Sequence, residues 1–238
     1  MATTVPSKKQ QQGKKIQPAP ATQPVPAAPA AAPFALAGWA RAHIRLGVGA
    51  LAAVALVLLG IWFVISSNRR KQEYATRLLS QALATADQGN LPQAAGDLQK
   101  LIQTYHGTSA ATEAVIALNQ VRLVSGQGEL AAQNLREFVA TNPPPRYAAS
   151  AYGLLGAAEE NTGKPAEAAQ AYEKAAASTE LDYLKADYLV EAGRAYTDAG
   201  KASDAIRVYR TVVEKYTTSP SFGEAQVRLA ELTAGASS

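Results

Sequence analysis

Two stretches of the chain carry the residue types of a phosphate loop. TGKPAEAAQAY (162–172) and AGKASDAIRVY (199–209) each place Gly-Lys ahead of small residues, an acid, an Ala and a Tyr. A phosphate-cradling loop needs a first Gly five residues before the Gly of Gly-Lys, and a Ser or Thr after the Lys to hold a divalent metal. Ala158 and Ala195 stand at the first place, and Pro165 and Ala202 at the second. SGQGELA (125–131) fits G-x-G-x-x-A, the dinucleotide fingerprint, but that motif must follow a strand. Here it follows a segment of helical periodicity and reads as a turn. Cysteine is absent and His43 and His106 are the two histidines, which excludes disulfides, thiolate metal sites and a His-rich metal centre. His106 has no partner for general-base work identifiable in sequence. Glu159 and Glu160 are adjacent, point different ways on a helix, and read as surface charges. NPPPR (142–146) reads as a stiff loop rather than a proline-module ligand. No catalytic constellation is left, so an enzyme and a cofactor are not expected.

What remains is the spacing itself. Gly89, Gly126, Gly163 and Gly200 recur every 37 residues. Five residues after each stands Ala94, Ala131, Ala168 or Ala205; nine after, Leu98, Leu135, Tyr172 or Tyr209; seven before, Ala82, Asn119, Gly156 or Gly193. The intervening residues are apolar at three- and four-residue spacing, with no run of strand alternation. The pattern describes a helical hairpin. One helix ends at a Gly that takes a left-handed conformation cheaply. The next starts within a few residues, with Pro92 and Pro165 suited to its first turn and Ser203 as an N-cap. Small residues let the two helices approach, and large ones at the ninth and twelfth places fill the seam.

The elements around this array differ in composition. Residues 1–33 are Gln, Pro, Ala and Lys with few large apolar side chains, too little to offset the entropy of ordering. Residues 46–65, LGVGALAAVALVLLGIWFVI, carry no charge, and at 1.5 Å per residue they match a bilayer core of about 30 Å. Trp39 and Trp62 lie near the ends, flanked by Arg41 and Arg45 on one side and Arg69, Arg70 and Lys71 on the other. A cleaved signal would be shorter and end in a small-x-small site. Counting basic residues close to the span, or over the whole tail, gives opposite orientations. The net charge of +4 is also divided. Residues 1–72 hold nine Lys/Arg and no acid, while 73–238 hold the other 14 against all 19 Asp/Glu. The body is therefore acidic, and a nucleic-acid partner is not expected.

The third and fourth units, YGLLGAAEENTGKPAEAAQAYEKA and YLVEAGRAYTDAGKASDAIRVYRTV, resemble the tetratricopeptide repeat (TPR). The first two depart from it: Ala82 and Asn119 replace the small Gly, and Arg122 sits where an aromatic is usual. The usual period is 34 residues, and the extra length is expected in the loops YHGTS, NPPPR and TTSPS. The resemblance implies an all-α TPR-type helical-hairpin solenoid of four 37-residue repeats plus a C-terminal capping helix at 222–234, after a single transmembrane helix. The expected division is a disordered Pro/Ala/Lys-rich tail (1–40), a transmembrane anchor with basic flanks (41–71) and the solenoid domain (72–238).

One spanning helix ahead of such an array resembles the ancillary translocon-subunit family of bacterial inner membranes. That likeness implies an inner-membrane protein with a cytoplasmic N-terminus and a periplasmic array. It also implies protein partners such as translocon subunits or periplasmic chaperones. The extended loops are similar to those of envelope TPR proteins that coordinate cell division or outer-membrane assembly, which implies a self-associating scaffold and a homo-oligomer as the alternative. In such arrays the first helices line a concave face. By position that face takes Leu79, Leu83, Ile116, Gln120, Leu123, Ala157, Glu160 and Arg194. Its apolar character in the first two units suits an apolar peptide or helix rather than a captured terminal carboxylate. The same leucines could instead pack against neighbouring helices or a second copy.

Overall fold

The computed structural model describes residues 33–235. Most of the tail expected over 1–40 therefore lies outside the described residues, and 33–40 belong to the first helix. Nine helices and no strand occur among the described residues. They are α1 (Pro33–Asp87), α2 (Leu91–Thr104), α3 (Ser109–Val124), α4 (Gly128–Ala140), α5 (Pro145–Asn161), α6 (Pro165–Ala177), α7 (Asp182–Asp198), α8 (Ala202–Lys215) and α9 (Phe222–Gly235). The chain divides into two units, 1–58 and 59–238. In the first, every described side chain from 47 to 58 is exposed, Leu51 at 71 % and Leu56 at 70 % among them. In the second, exposed apolar side chains continue through Trp62 and Phe63 to Ile65, and burial begins at Ala75. Among the described residues, one helix is long and apolar enough to cross a membrane, the Gly47–Asp87 part of α1, with a mean hydropathy of 2.7 over its most apolar window.

From Ala75 onward the helices pair as the spacing requires. Gly89, Gly126, Gly163 and Gly200 take φ of 69 to 81°, where a Cβ is strained. The residue after each glycine donates its N–H back across the turn, as Lys164 does to the Glu159 carbonyl at 2.8 Å and Lys201 to that of Tyr196 at 2.8 Å. These bonds satisfy carbonyls that a helix end leaves open. Pro92 and Pro165 lie in the first turns of α2 and α6, as expected. Ser203 does not cap α8. The helix starts earlier, at Ala202 behind Lys201, because the turn closes in three residues.

Each hairpin is closed by a small residue facing a large one. A Cβ added to Gly193 would lie 2.5 Å from the Tyr209 ring, and one added to Gly156 would lie 2.6 Å from that of Tyr172. The two degenerate repeats place Ala82 and Leu98, and Asn119 and Leu135, at the same positions, with a larger small partner and a smaller large one, all buried. The core is rich in alanine, which lets helices approach closely: Ala94, Ala131, Ala168 and Ala205 are each fully buried. Three clusters follow one another along the stack, around Leu98 and Leu118, around Leu135 and Leu155, and around Tyr172, Val208 and Tyr209.

The seams between hairpins keep a fixed register. The residue four before a turn glycine meets the residue ten after the preceding one. Glu159 is buried at 3 % exposure and takes a two-pronged bond from Arg136, Nε to Oε1 at 2.7 Å and Nη2 to Oε2 at 2.8 Å. This corrects the reading of Glu159 as a surface charge. At the next seam the Tyr196 hydroxyl donates to Glu173 Oε2 at 2.7 Å, and Arg207 Nη1 donates to its Oε1 at 2.7 Å. Burial pushes the Glu173 carboxyl up, but the bonds from Arg207 and Tyr196 outweigh it and hold the group below its ordinary value of 4.5.

Two outcomes follow for stability. Gly→Ala inside a helix normally stabilises by about 1 kcal/mol. Gly193→Ala should instead destabilise by about 1–3 kcal/mol through overpacking against Tyr209. Adding Tyr209→Leu should recover part of that loss in urea unfolding; strictly additive losses would contradict the pairing. Because its folded pKa is depressed, Glu173 contributes stability that is present above its unfolded pKa and lost as pH falls through the folded value. The stability gap between wild type and Glu173→Gln should be open at pH 7 and close on acidification below the carboxylate range. A gap constant with pH would contradict it.

Candidate functional site: the first-helix face

The first helices of successive hairpins touch, α3 against α5 and α7 against α9, so their outer turns form one surface. Of the residues assigned to it by position, Leu79 is in the core at 5 % exposure, because its turn of α1 faces α2 and α3. Leu83, one turn on, is at the surface at 36 %. Ile116 and Leu123 are half-buried and pack against the Leu135–Leu155 cluster, while Gln120 is exposed between them. Ala157 is half-buried. The apolar character read in the first two units is thus partly spent inside the stack.

The structure does bring Glu160 and Arg194 together. Arg194 Nη2 lies 3.7 Å from Glu160 Oε1 and also pairs with Glu191, one turn earlier on α7. The Tyr172 hydroxyl, from α6, donates to Glu160 Oε2 at 2.7 Å. Burial, and then the bond to Glu160, pushes the Tyr172 phenol far up, so it remains a donor. Burial also raises the Glu191 carboxyl; Arg194 opposes this, and the charges of Glu160 and Glu224 add to it. Burial alone would lower the Arg194 guanidinium, but Glu191 and Glu160 raise it. Arg194 thus already faces two carboxylates of its own chain. The cluster is a charge network of Glu160, Glu191 and Arg194 joined by the Tyr172 hydroxyl.

The motifs with catalytic overtones resolve into architecture. Lys164 of NTGKP pairs with Glu129 at 3.0 Å on the neighbouring hairpin. In SGQG, Gly126 takes φ of 73°, and a Cβ on Gly128 would sit 3.1 Å from that of Asn161. Its two glycines thus serve a turn and a close approach. His106 is exposed, with Nδ1 3.3 Å from the Gln103 carbonyl oxygen. No group of three or more potential metal ligands converges among the described residues. Sequence reasoning missed the Arg136–Glu159 bond and the burial of Arg122 at 7 % exposure. The signal for both was available in the frame of the repeat, where each stands four residues before a turn glycine.

With this geometry established, the likenesses to known proteins are specific about fold. A tetratricopeptide-repeat family profile matches residues 187–219, which cover most of α7, α8 and the turn between them. Among curated protein sequences, none matches this chain. A crystal structure of MamA protein superposes with a TM-score of 0.56 at 21 % identity, covering 69 % of this chain and 84 % of that one. A structure of MamA from Desulfovibrio magneticus RS-1, residue 41 to its end, gives 0.50 at 21 % identity, over 61 % and 77 %. A kinesin light chain-type protein of Podospora anserina with nearly identical TPR-like repeats gives 0.56 at 18 % identity, over 68 % and 85 %. The helical array of this chain has the fold of TPR solenoids, and residues 187–219 match the tetratricopeptide-repeat family.

Proposed function

We propose that the protein is a membrane-anchored TPR adaptor that holds protein partners at the bacterial inner membrane. In this reading residues 46–65 are the span, 41–71 the anchor with its basic flanks, and 72–238 the solenoid domain. The single observation that carries the reading is the exposure of every described side chain from 47 to 65, an apolar surface that water does not tolerate and lipid does. The array sits on the periplasmic side, and its partners are subunits of the translocation channel or periplasmic chaperones. Support for an adaptor comes from the TPR fold, which uses its surface for binding, and from the architectural reading of every catalytic-looking motif.

The partner surface is the first-helix face at its exposed places, Leu83 and Gln120 in the first two hairpins and the Glu160–Arg194 network in the later ones. A second reading, a self-associating scaffold, draws on Leu181 and Tyr183, which are 50 % and 51 % exposed at the connection from α6 to α7.

Full-length protein should stay with membranes through alkaline carbonate extraction, and deletion of 46–65 should release it. Release of the intact chain would overturn the anchor. A reporter active only outside the cytoplasm, fused after Ser238, should be active; a silent one would overturn the periplasmic placement. Leu83→Glu with Gln120→Glu should leave the thermal unfolding midpoint within about 2 °C, as surface changes do. The same pair should abolish recovery of channel subunits or chaperones from solubilised membranes. Undiminished recovery would overturn the face, and recovery of the chain itself alone would favour the scaffold.

A further inference from the structure

Two of the seams in the stack are closed by a charged bond, Arg136 to Glu159 and Glu173 to Tyr196, in pairs 23 residues apart. The same register at the first seam brings Arg122 opposite Gln99. Arg122 is buried like its counterparts, at 7 % exposure, yet its partner position holds a neutral amide. Its guanidinium bonds through Nη1 to Oδ1 of Asn119 at 3.4 Å, and among the described residues no carboxylate pairs with it. Asn119 is itself fully buried and donates to the Val115 carbonyl at 2.8 Å, so it adds no negative charge. Desolvation accordingly lowers the Arg122 pKa, with no carboxylate opposing the shift. A guanidinium taken out of water without a counterion is an expensive arrangement that a bound anion would relieve.

Arg122 also lines a cavity. It is an open pocket of about 350 Å³ between α2, α3 and α4. The amides of Gln99, Gln103 and Asn134 and the apolar side chains of Ile102, Leu118 and Phe138 share its wall. Glu137 lines it too, with its Oε1 held by Gln133 Nε2 at 3.2 Å. Glu137 lies in the same wall without pairing with Arg122, and its repulsion of negative charge disfavours a dianionic phosphate more than a singly charged guest.

We infer that this pocket binds a monocarboxylate on an apolar body, its carboxylate against Arg122 and its hydrocarbon against Ile102, Leu118 and Phe138. The geometry a guanidinium offers a carboxylate is two-pronged, the form that Arg136 already makes with Glu159 one seam away. Such a guest is a free organic acid or the terminus of a polypeptide with an apolar last residue. The site stands independently of the membrane-adaptor reading.

The test uses the full chain in detergent micelles with ¹⁵N-labelled arginine. The Nε–Hε signal of Arg122 is assigned by its loss in Arg122→Lys. Four probes are titrated: 3-phenylpropionate, its neutral amide, inorganic phosphate, and the tripeptide Ala-Ala-Phe with a free carboxylate. A carboxylate probe should shift the Arg122 signal with an affinity at least about tenfold above that of the amide or phosphate. A response to the tripeptide alone assigns the guest to a chain terminus, and a response to the free acid alone assigns it to a small metabolite; both support the site. Gln99→Glu, at an exposed position, places a carboxylate in the register of the other seams. It should raise the thermal midpoint and weaken carboxylate binding at least about tenfold. No shift with either carboxylate, equal response to the amide or to phosphate, or unchanged binding in Gln99→Glu would overturn the proposal.

Discussion

The stack depends on one register. At the two later seams a buried residue four places before the turn glycine is held against a residue ten places after the glycine before it, Glu159 against Arg136 and Tyr196 against Glu173. Hydrophobic packing among alanines and leucines brings helices together without fixing how far each slides along its neighbour. A directional bond at a buried site does fix it, because a slip of one turn would leave a desolvated carboxylate or hydroxyl unpaired. The glycine turns and the small-against-large pairs within each hairpin serve the same end. They hold each pair of helices at a separation that lets the next seam close.

The hairpins themselves were legible in the chain. Four glycines 37 residues apart, prolines just after two of them and alanines five places on are local signals, each with a local cause in backbone conformation or close approach. The helix ends fall where these residues put them. Ser203 was misleading because a three-residue turn closed by the Lys201 N–H starts α8 before a serine cap is needed. What was not legible was the fate of side chains whose partners are remote. Glu159 and Glu160 are equal in a linear reading. In the fold one is buried on Arg136, and the other faces Tyr172 and Arg194. Leu79 and Leu83 are likewise one turn apart, yet one is core and the other surface, since a helix wedged between neighbours on two sides has little free face. The candidate surface read by position was therefore part interior and part exterior.

Function in a repeat array lies in the places where repeats differ. The later hairpins carry Gly-with-Tyr pairs and charged bonds at their seams. The first two carry Ala-with-Leu and Asn-with-Leu pairs and a buried arginine with no carboxylate, and they follow directly on the apolar helix. Departures from the repeat consensus thus gather at one end of the array. They include the substitution of Arg122 for an aromatic, which first appeared only as degeneracy.

The most direct measurement of this account is a double-mutant cycle on Arg136 and Glu159, by urea unfolding of the wild type, both single alanine variants and the double. A seam held by a two-pronged bond to a buried carboxylate predicts a coupling of about 1–3 kcal/mol, with Arg136→Ala alone nearly as damaging as the pair. Losses that simply add would show that the register is set by packing alone and would contradict the account.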